Sequence, residues 1–223
     1  MPALVYCIVE AQDIEVPASG PGDLAVQSVE ESGLHCFFST ASSADYVHGL
    51  PAKQAALTFH HVVQTIFHQV AVIPFRFPTM LQSEAELRSY LSHQRHVYHE
   101  ALNRVRRMVQ MDVRLSHSVG GAANSAETSA ARKSSGTEYL RSRQSLQNEL
   151  AKGAAAFRDL GDGLVCDWRE RPAAQTLRCF ALVKRDLVND FKSKAATVQL
   201  ASNIQARVSG PWPASEFVLT NER

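Results

Sequence analysis

Histidines, cysteines and a few clustered arginines are the residues here whose types and spacing could do chemistry. All nine histidines precede residue 118. His93, His96 and His99 recur at spacing three on a helical stretch, where they spread over about 120° of the wheel. Zinc needs side chains converging on one ion, and helix neighbours lie at i+3 or i+4, so the outer two do not meet. The three lie opposite the helix's apolar stripe, and the expectation is a solvated polar face. His60, His61 and His68 read as surface or partner-contact groups, since His61 and His68 are two turns apart, about 10 Å by helix rise. Cys7, Cys36, Cys166 and Cys179 form no CxxC pair, so four reduced thiols are expected. Arg104, Arg106 and Arg107 sit near a helix end, where cations complement the negative end of the dipole. The rival reading for them is a small anionic docking patch.

No GxxxxGK[ST], GxGxxG after a strand, HExxH or GxSxG occurs in the chain. A nucleophile needs a neighbouring base and an orienting group, and no local signature supplies them. The expectation is therefore no catalytic residue, no metal and no cofactor. Two other segments stand out. In Ile73-Pro-Phe-Arg-Phe-Pro-Thr79, prolines bracket two aromatics around Arg76; on an extended segment Phe75 and Phe77 share one face and Arg76 takes the other. In Gly210-Pro-Trp-Pro-Ala-Ser-Glu-Phe217, Gly210 permits a tight exit from a strand while Pro211 and Pro213 stiffen the loop around Trp212. Such an indole either plugs the domain's own core or grips a partner, as interface tryptophans do.

The elements that must position these groups follow from hydrophobic period. Leu4–Val9 reads as a buried strand and Leu34–Thr40 as a second, after a turn at Glu31-Ser-Gly33. Pro51 opens a helix to about Val70, with Ala52, Ala55, Phe59, Val62, Val63, Ile66 and Val70 on one face. Val70–Phe77 is expected as a strand, Pro74 suiting an edge, a bulge or its exit. Ser83-Glu-Ala-Glu86 forms a capping box for a helix running to about Met108. Val109–Leu115 alternates as a half-buried strand. Residues 116–136, rich in Ser, Ala and Gly, are expected to form a mobile linker. Beyond it come a helix (Thr137–Leu160), strands Leu164–Arg169 and Leu177–Lys184, a helix (Arg185–Val198) and a strand (Asn203–Ser209). The second half thus reads β-α-β-β-α-β, the split βαβ pattern of ferredoxin-like folds. The expected fold class is α+β in two small domains, residues 1–108 and 109–223, the first a modified ferredoxin-like unit.

Composition agrees with that class. The 223 residues, 45% hydrophobic and 20% charged, fit one large or two small globular domains. The longest apolar runs, Leu4–Val9 and Val70–Phe75, are far below the roughly 20 residues of a membrane span. Residues 1–50 hold seven acidic groups and no Lys or Arg, the opposite of a basic targeting segment, so a cytoplasmic protein is expected. From residue 119 onward 15 basic face 11 acidic residues, too mild an excess to demand nucleic acid. Phe37 and Phe38 are adjacent and so point to opposite faces, which ranks a sheet-based RNA platform last.

Several of these segments together resemble the gas vesicle accessory proteins of the GvpF/GvpL family, over nearly the whole chain. They are Leu4–Val9, Val72-Ile-Pro-Phe-Arg-Phe77 with Thr79, and Gly136-Thr-Glu-Tyr139-Leu140 with Arg143. Phe180-Ala-Leu-Val183 and Val208-Ser-Gly-Pro-Trp-Pro213 complete the series, the last being the most specific. The family's motif residues fall at Pro74, Thr79, Tyr139, Leu140, Gly210, Pro211 and Pro213. The chain departs from the family at Pro78, usually glycine, and at Gln110, usually glutamate.

The resemblance implies a non-enzymatic part in building gas vesicles, the protein-shelled buoyancy organelles of prokaryotic cells. It implies two α+β domains, association with the shell protein GvpA and other accessory proteins, and for some members the gas-facing side of the shell. Neither a nucleic-acid nor a membrane partner is expected. A small, very hydrophobic shell subunit is prone to uncontrolled β-edge pairing. A partner offering a sheet edge or apolar groove would cover it, with Phe75, Phe77 and Trp212 as anchors and Arg76 as an orienting charge. The alternative is a cytosolic enzyme or small-molecule-binding protein on a ferredoxin-like scaffold, which fold alone does not exclude.

Overall fold

Seven consecutive residues of β1 (Ala3–Val9) are buried, as a strand without a single charged side chain must be. In the computed structural model the described residues are 1–10, 13–117, 136–161, 163–173 and 175–218, of which 136–143 are described as helix backbone. The chain divides into two compact units. The first comprises residues 1–108 together with the described residues from Pro213 on, and the second comprises Val109–Trp212.

In the first unit β1 pairs antiparallel with β3 (Leu34–Thr40) on one side. On its other side it meets two short strands, β4 (Ile73–Pro74) and β5 (Met80–Leu81). A further strand, β2 (Val26–Glu31), forms the edge beyond β3 and completes the order β2-β3-β1-β4. Ser32 and Gly33, both at positive φ (57° and 78°), make the two-residue turn between β2 and β3. That is the mirror-image turn whose twist suits a hairpin. No strand is expected at Val26–Glu31 from the pattern, because only Val29 among its six residues is buried. An edge strand with one buried side chain carries almost no hydrophobic period.

Helix α1 (Ala44–His48) is a single turn and a bit, capped by Ser43, which accepts from the Tyr46 amide at 3.1 Å. The sequence pattern does not announce it. Helix α2 (Ala52–Gln69) starts after Pro51 and buries Ala55, Phe59, Val62, Val63, Ile66 and Phe67. Each large side chain so buried contributes about 1.5–3 kcal/mol. Ala52, assigned to that stripe by its spacing, is exposed. Ser83 caps α3 (Glu84–Val105), accepting from the Glu86 amide at 3.2 Å. Glu86 reaches back one residue further than a capping box requires, to the Gln82 amide.

The second unit is built from β6 (Met108–His117), α4 (Gly136–Arg158), β7 (Asp167–Pro172), β8 (Thr176–Lys184), α5 (Val188–Ala195) and β9 (Ile204–Trp212). Its sheet order is β7-β8-β6-β9. Counted by rank along the chain, both sheets share one order: second, third, first, fourth. In the second unit α4 follows the first strand. In the first, the described residues between β1 and β2 hold a 3-10 turn at Pro21–Asp23 and no α-helix. There α3, which comes later in the chain, packs against β1, β2 and β3. The fold is α+β with two antiparallel sheets, as the periodicities predict.

Several boundaries move. The strand expected over Val70–Phe77 is reduced to Ile73–Pro74, because the chain turns away from β1 after Phe75. Strand β7 begins at Asp167 rather than Leu164, since Gly163 at φ 77° sits in a turn there. Ser116 and His117, assigned to the linker, pair with Gln205 and Ile204 in β6 and β9. Gly136, its other end, is already helical, and residues 118–135 of that expected linker lie outside the described residues. Finally, α6 (Ser215–Val218) packs against α3 and β4 in the first unit, not in the second as its position in the chain suggests. Phe217, fully buried, is the physical reason.

Candidate partner-binding site

The arginine-centred segment is held to β1 from both ends. The Phe75 amide donates to the Tyr6 carbonyl at 2.9 Å, and the Thr79 carbonyl accepts from the Val5 amide at 3.0 Å. Between these anchors Arg76, Phe77 and Pro78 leave the sheet, with a cis bond before Pro78. Thr79 Oγ1 closes the excursion by donating to the Arg76 carbonyl. Arg76 and Pro78 are exposed, while Pro74, Phe75, Phe77 and Thr79 are half-buried.

The two rings lean on different helices. Phe77 lies 5.3 Å from Phe59 of α2, and Phe75 lies 6.3 Å from Tyr90 of α3. Phe59 in turn stacks at 5.0 Å on Tyr6, whose hydroxyl bonds the Ser39 hydroxyl at 2.7 Å in the core. Burial pushes the Tyr6 phenol up to about 12, the Ser39 bond opposing this in part. Phe77 is thus the outer end of an aromatic column rooted in the sheet.

Trp212 occupies a different setting from the expected loop. Gly210, Pro211 and Trp212 belong to β9, with Trp212 opposite Gln110 across an irregularity in register. Gly210 adopts φ 124°, and a Cβ there would stand 2.9 Å from the Gln110 carbonyl oxygen and 3.0 Å from Met111 Sδ. Only glycine fits both conditions. Pro211 follows through a cis bond, and Pro213 is buried. The Trp212 ring is half-buried, its Nε1 donating to Ser209 Oγ at 3.4 Å. Gln110, where the family resemblance calls for glutamate, is nearly buried and donates to Asp112 Oδ1 at 2.7 Å. A cleft of about 420 Å³ lies beside this strand, lined by Phe157, Ala195, Val198, Leu200, Val208 and Gly210 among others.

Phe75 and Phe77 therefore belong to the first unit and Trp212 to the second. Tyr139 and Leu140 lie in the backbone of α4, and their side chains fall outside the described residues. Other apolar side chains are more exposed than the candidate anchors: Leu57 on α2 (54%) and Val97 on α3 (53%).

The titratable groups displaced furthest are core residues. Burial raises the thiols of Cys7, Cys36 and Cys179 and the Tyr98 phenol, the last also through Tyr90. His99 is the exception to a solvated histidine face. Its Nδ1 bonds Glu10 Oε1 at 2.7 Å and its Nε2 bonds the Ser32 carbonyl at 3.0 Å. Arg106 also pairs with Glu10 at 2.8 Å, and Arg104 with Glu100 at 3.2 Å, so these cations serve internal ion pairs. Among the described residues no three His, Cys, Asp or Glu side chains converge as a metal site would require. No helix among them is long and apolar enough to cross a membrane.

The family model for gas vesicle synthesis proteins GvpL/GvpF matches residues 3–219. The chain belongs to the GvpL/GvpF family. Its structure is similar to that of the gas vesicle protein GvpF from Anabaena sp. PCC7120, with a TM-score of 0.78 at 12% identity. That likeness covers 99% of this chain and 97% of the other. The GvpF of Microcystis aeruginosa is similar at a TM-score of 0.75 and 12% identity, covering 98% and 99%. At such identity the likeness concerns the fold alone. A search of curated proteins gives no match. This GvpL/GvpF member accordingly has a role in gas vesicle synthesis.

Proposed function

We propose that this chain is a non-enzymatic assembly factor, working in the cytoplasm at the growing gas vesicle, that binds the shell protein GvpA and other accessory proteins. The observation that carries this reading is the family match over residues 3–219. The anchors we assign are Phe75, Phe77 and Trp212, with Arg76 as the orienting charge. Half-buried rings on a rigid support suit that task, because they present apolar area at low entropic cost. The cleft beside β9, which reaches Gly210, adds a groove of mixed polarity on the same strand as Trp212. A segment of a hydrophobic shell subunit would lose its free β-edge there until it joins the shell.

Co-expression with a gas vesicle shell protein, followed by affinity purification and a soluble-yield assay, tests the proposal. The expected result is co-purification that raises the soluble shell fraction and weakens in Phe77→Ala and Trp212→Ala variants that remain folded. Purification of the chain alone, with the shell protein aggregating as before, overturns direct shell binding. Loss of folding in Phe77→Ala would assign that ring to packing, since truncating a core aromatic costs about 3–5 kcal/mol.

A further inference from the structure

The second sheet has two unlike faces. Helices α4 and α5 cover the one bearing Leu115, Ala206 and Val208: Gly153 of α4 approaches Leu115, and the cleft beside β9 runs from Ala195 of α5 to Val208. The opposite face is rich in arginine. Arg114 of β6 stands directly across from Arg207 of β9, and Arg171 of β7 directly across from Arg178 of β8. All four are exposed. Like charges directly opposite each other on paired strands are destabilising, and this face carries two such pairs.

Among the described residues compensation is missing at the Arg114–Arg207 pair. Asp112 pairs with Arg178 at 3.1 Å, and its other oxygen is already taken by Gln110. Among the described residues Arg114 and Arg207 have neither a hydrogen-bond nor an ion-pair partner. Both line an open cleft of about 440 Å³ with Asp112, Arg178 and Ser209.

We propose that this arginine face docks an extended acidic segment of a partner protein, with carboxylates at alternate residues. Guanidinium forks match carboxylates in a two-bond geometry, and the Arg178–Asp112 pair already makes a single charge-assisted contact on the face. Alternate side chains of an extended segment share one side, so a segment with carboxylates at alternate residues turns all of them toward the arginine face. Nucleic acid fits less well. Its single strands stack on exposed rings, whereas Phe180 is only 1% exposed beneath Arg171 and Arg178. The surface is chemically distinct from the apolar anchors and does not depend on shell-protein binding.

The test is fluorescence anisotropy of the full chain with a labelled peptide of about eight residues alternating Glu and Ser, at low salt. Saturable binding is expected, weakened about tenfold or more in Arg207→Glu and in the double variant Arg114→Gln/Arg207→Gln. Arg207→Glu replaces a repulsive cross-strand pair by an attractive one, so its thermal midpoint is expected to hold or rise. A peptide alternating Lys and Ser should not bind. Unchanged binding in both variants overturns the proposal. So does tighter binding of a single-stranded oligonucleotide that displaces the acidic peptide. A drop in the thermal midpoint of Arg207→Glu would overturn the claim of frustration, and the double variant would then decide the binding claim.

Discussion

Thr79 Oγ1 donates to the Arg76 carbonyl at 2.6 Å and so closes the three-residue excursion between β4 and β5. With the Phe75 and Thr79 backbone bonds to β1, this hydroxyl holds Arg76 and Phe77 in one presentation. Thr79→Val keeps the branched shape and loses the bond. The expected cost is about 0.5–1.5 kcal/mol, read as a shift in the urea midpoint, with Thr79→Ser restoring most of it. An unshifted midpoint in Thr79→Val would show that the hydroxyl holds nothing.

Gly210→Ala should damage the second unit. The new Cβ meets the Gln110 carbonyl and Met111 Sδ at 3.0 Å or less, on a residue held at φ 124°. Strain at such a backbone position costs about 1–3 kcal/mol. Thermal unfolding of the variant should begin earlier. If alanine is accepted without change, the register irregularity beside Gln110 is softer than it looks.

His99 makes stability depend on pH. Only the protonated ring donates to both Glu10 and the Ser32 carbonyl. The Glu10 bond comes first among the causes that raise its pKa above the usual 6.5, with the Ser32 bond second, while burial and, less, Arg95 oppose them. Its folded-state pKa lies above the unfolded one, so the contribution is complete below about pH 6.5 and is lost as pH rises through the folded value. Urea midpoints measured on both sides of that range should fall with rising pH in the parent. The same series in His99→Gln should be flatter.

Tyr6 gives an alkaline counterpart. Its phenol is held at about 12 by burial, against 10.0 when free. Stability should therefore decline between those two values, as the unfolded chain ionises first. Tyr6→Phe removes the share of that decline that Tyr6 contributes, the raised Tyr98 phenol and buried thiols keeping theirs, and also leaves the buried Ser39 hydroxyl without its 2.7 Å partner. A loss of about 1–3 kcal/mol is expected at neutral pH. Far-ultraviolet circular dichroism during titration would follow both effects.

Much of the scaffold is legible in local pattern. A run such as Leu4–Val9 has no polar side to turn toward water, so it must be central. The stripe from Ala55 to Ile66 and the Ser83 cap mark α2 and α3 because both signals are short-range. The β-α-β-β-α-β order of the second half foretells its sheet, since connections of that kind admit few topologies. The segments carrying Arg76 and Trp212 are visible as oddities of composition, and the family follows from them.

What local pattern does not carry is pairing across distance. Strand β2 exists because β3 offers it hydrogen bonds, not because Val26–Glu31 is hydrophobic. Gly210–Trp212 continues β9 instead of forming a loop, because Gln110 stands opposite. His99 leaves the solvated face assigned to it because Glu10, 89 residues away, comes within 2.7 Å. The arginines are scattered along the chain as Arg114, Arg171, Arg178 and Arg207, and net charge hides them. Their facing positions arise only when β6, β7, β8 and β9 take their registers. By itself the sequence determined which segments are helix or central strand, because those depend on neighbours within a few residues. The tertiary structure alone decided which charges meet and which rings are held, because strand register brings together residues that the chain keeps far apart.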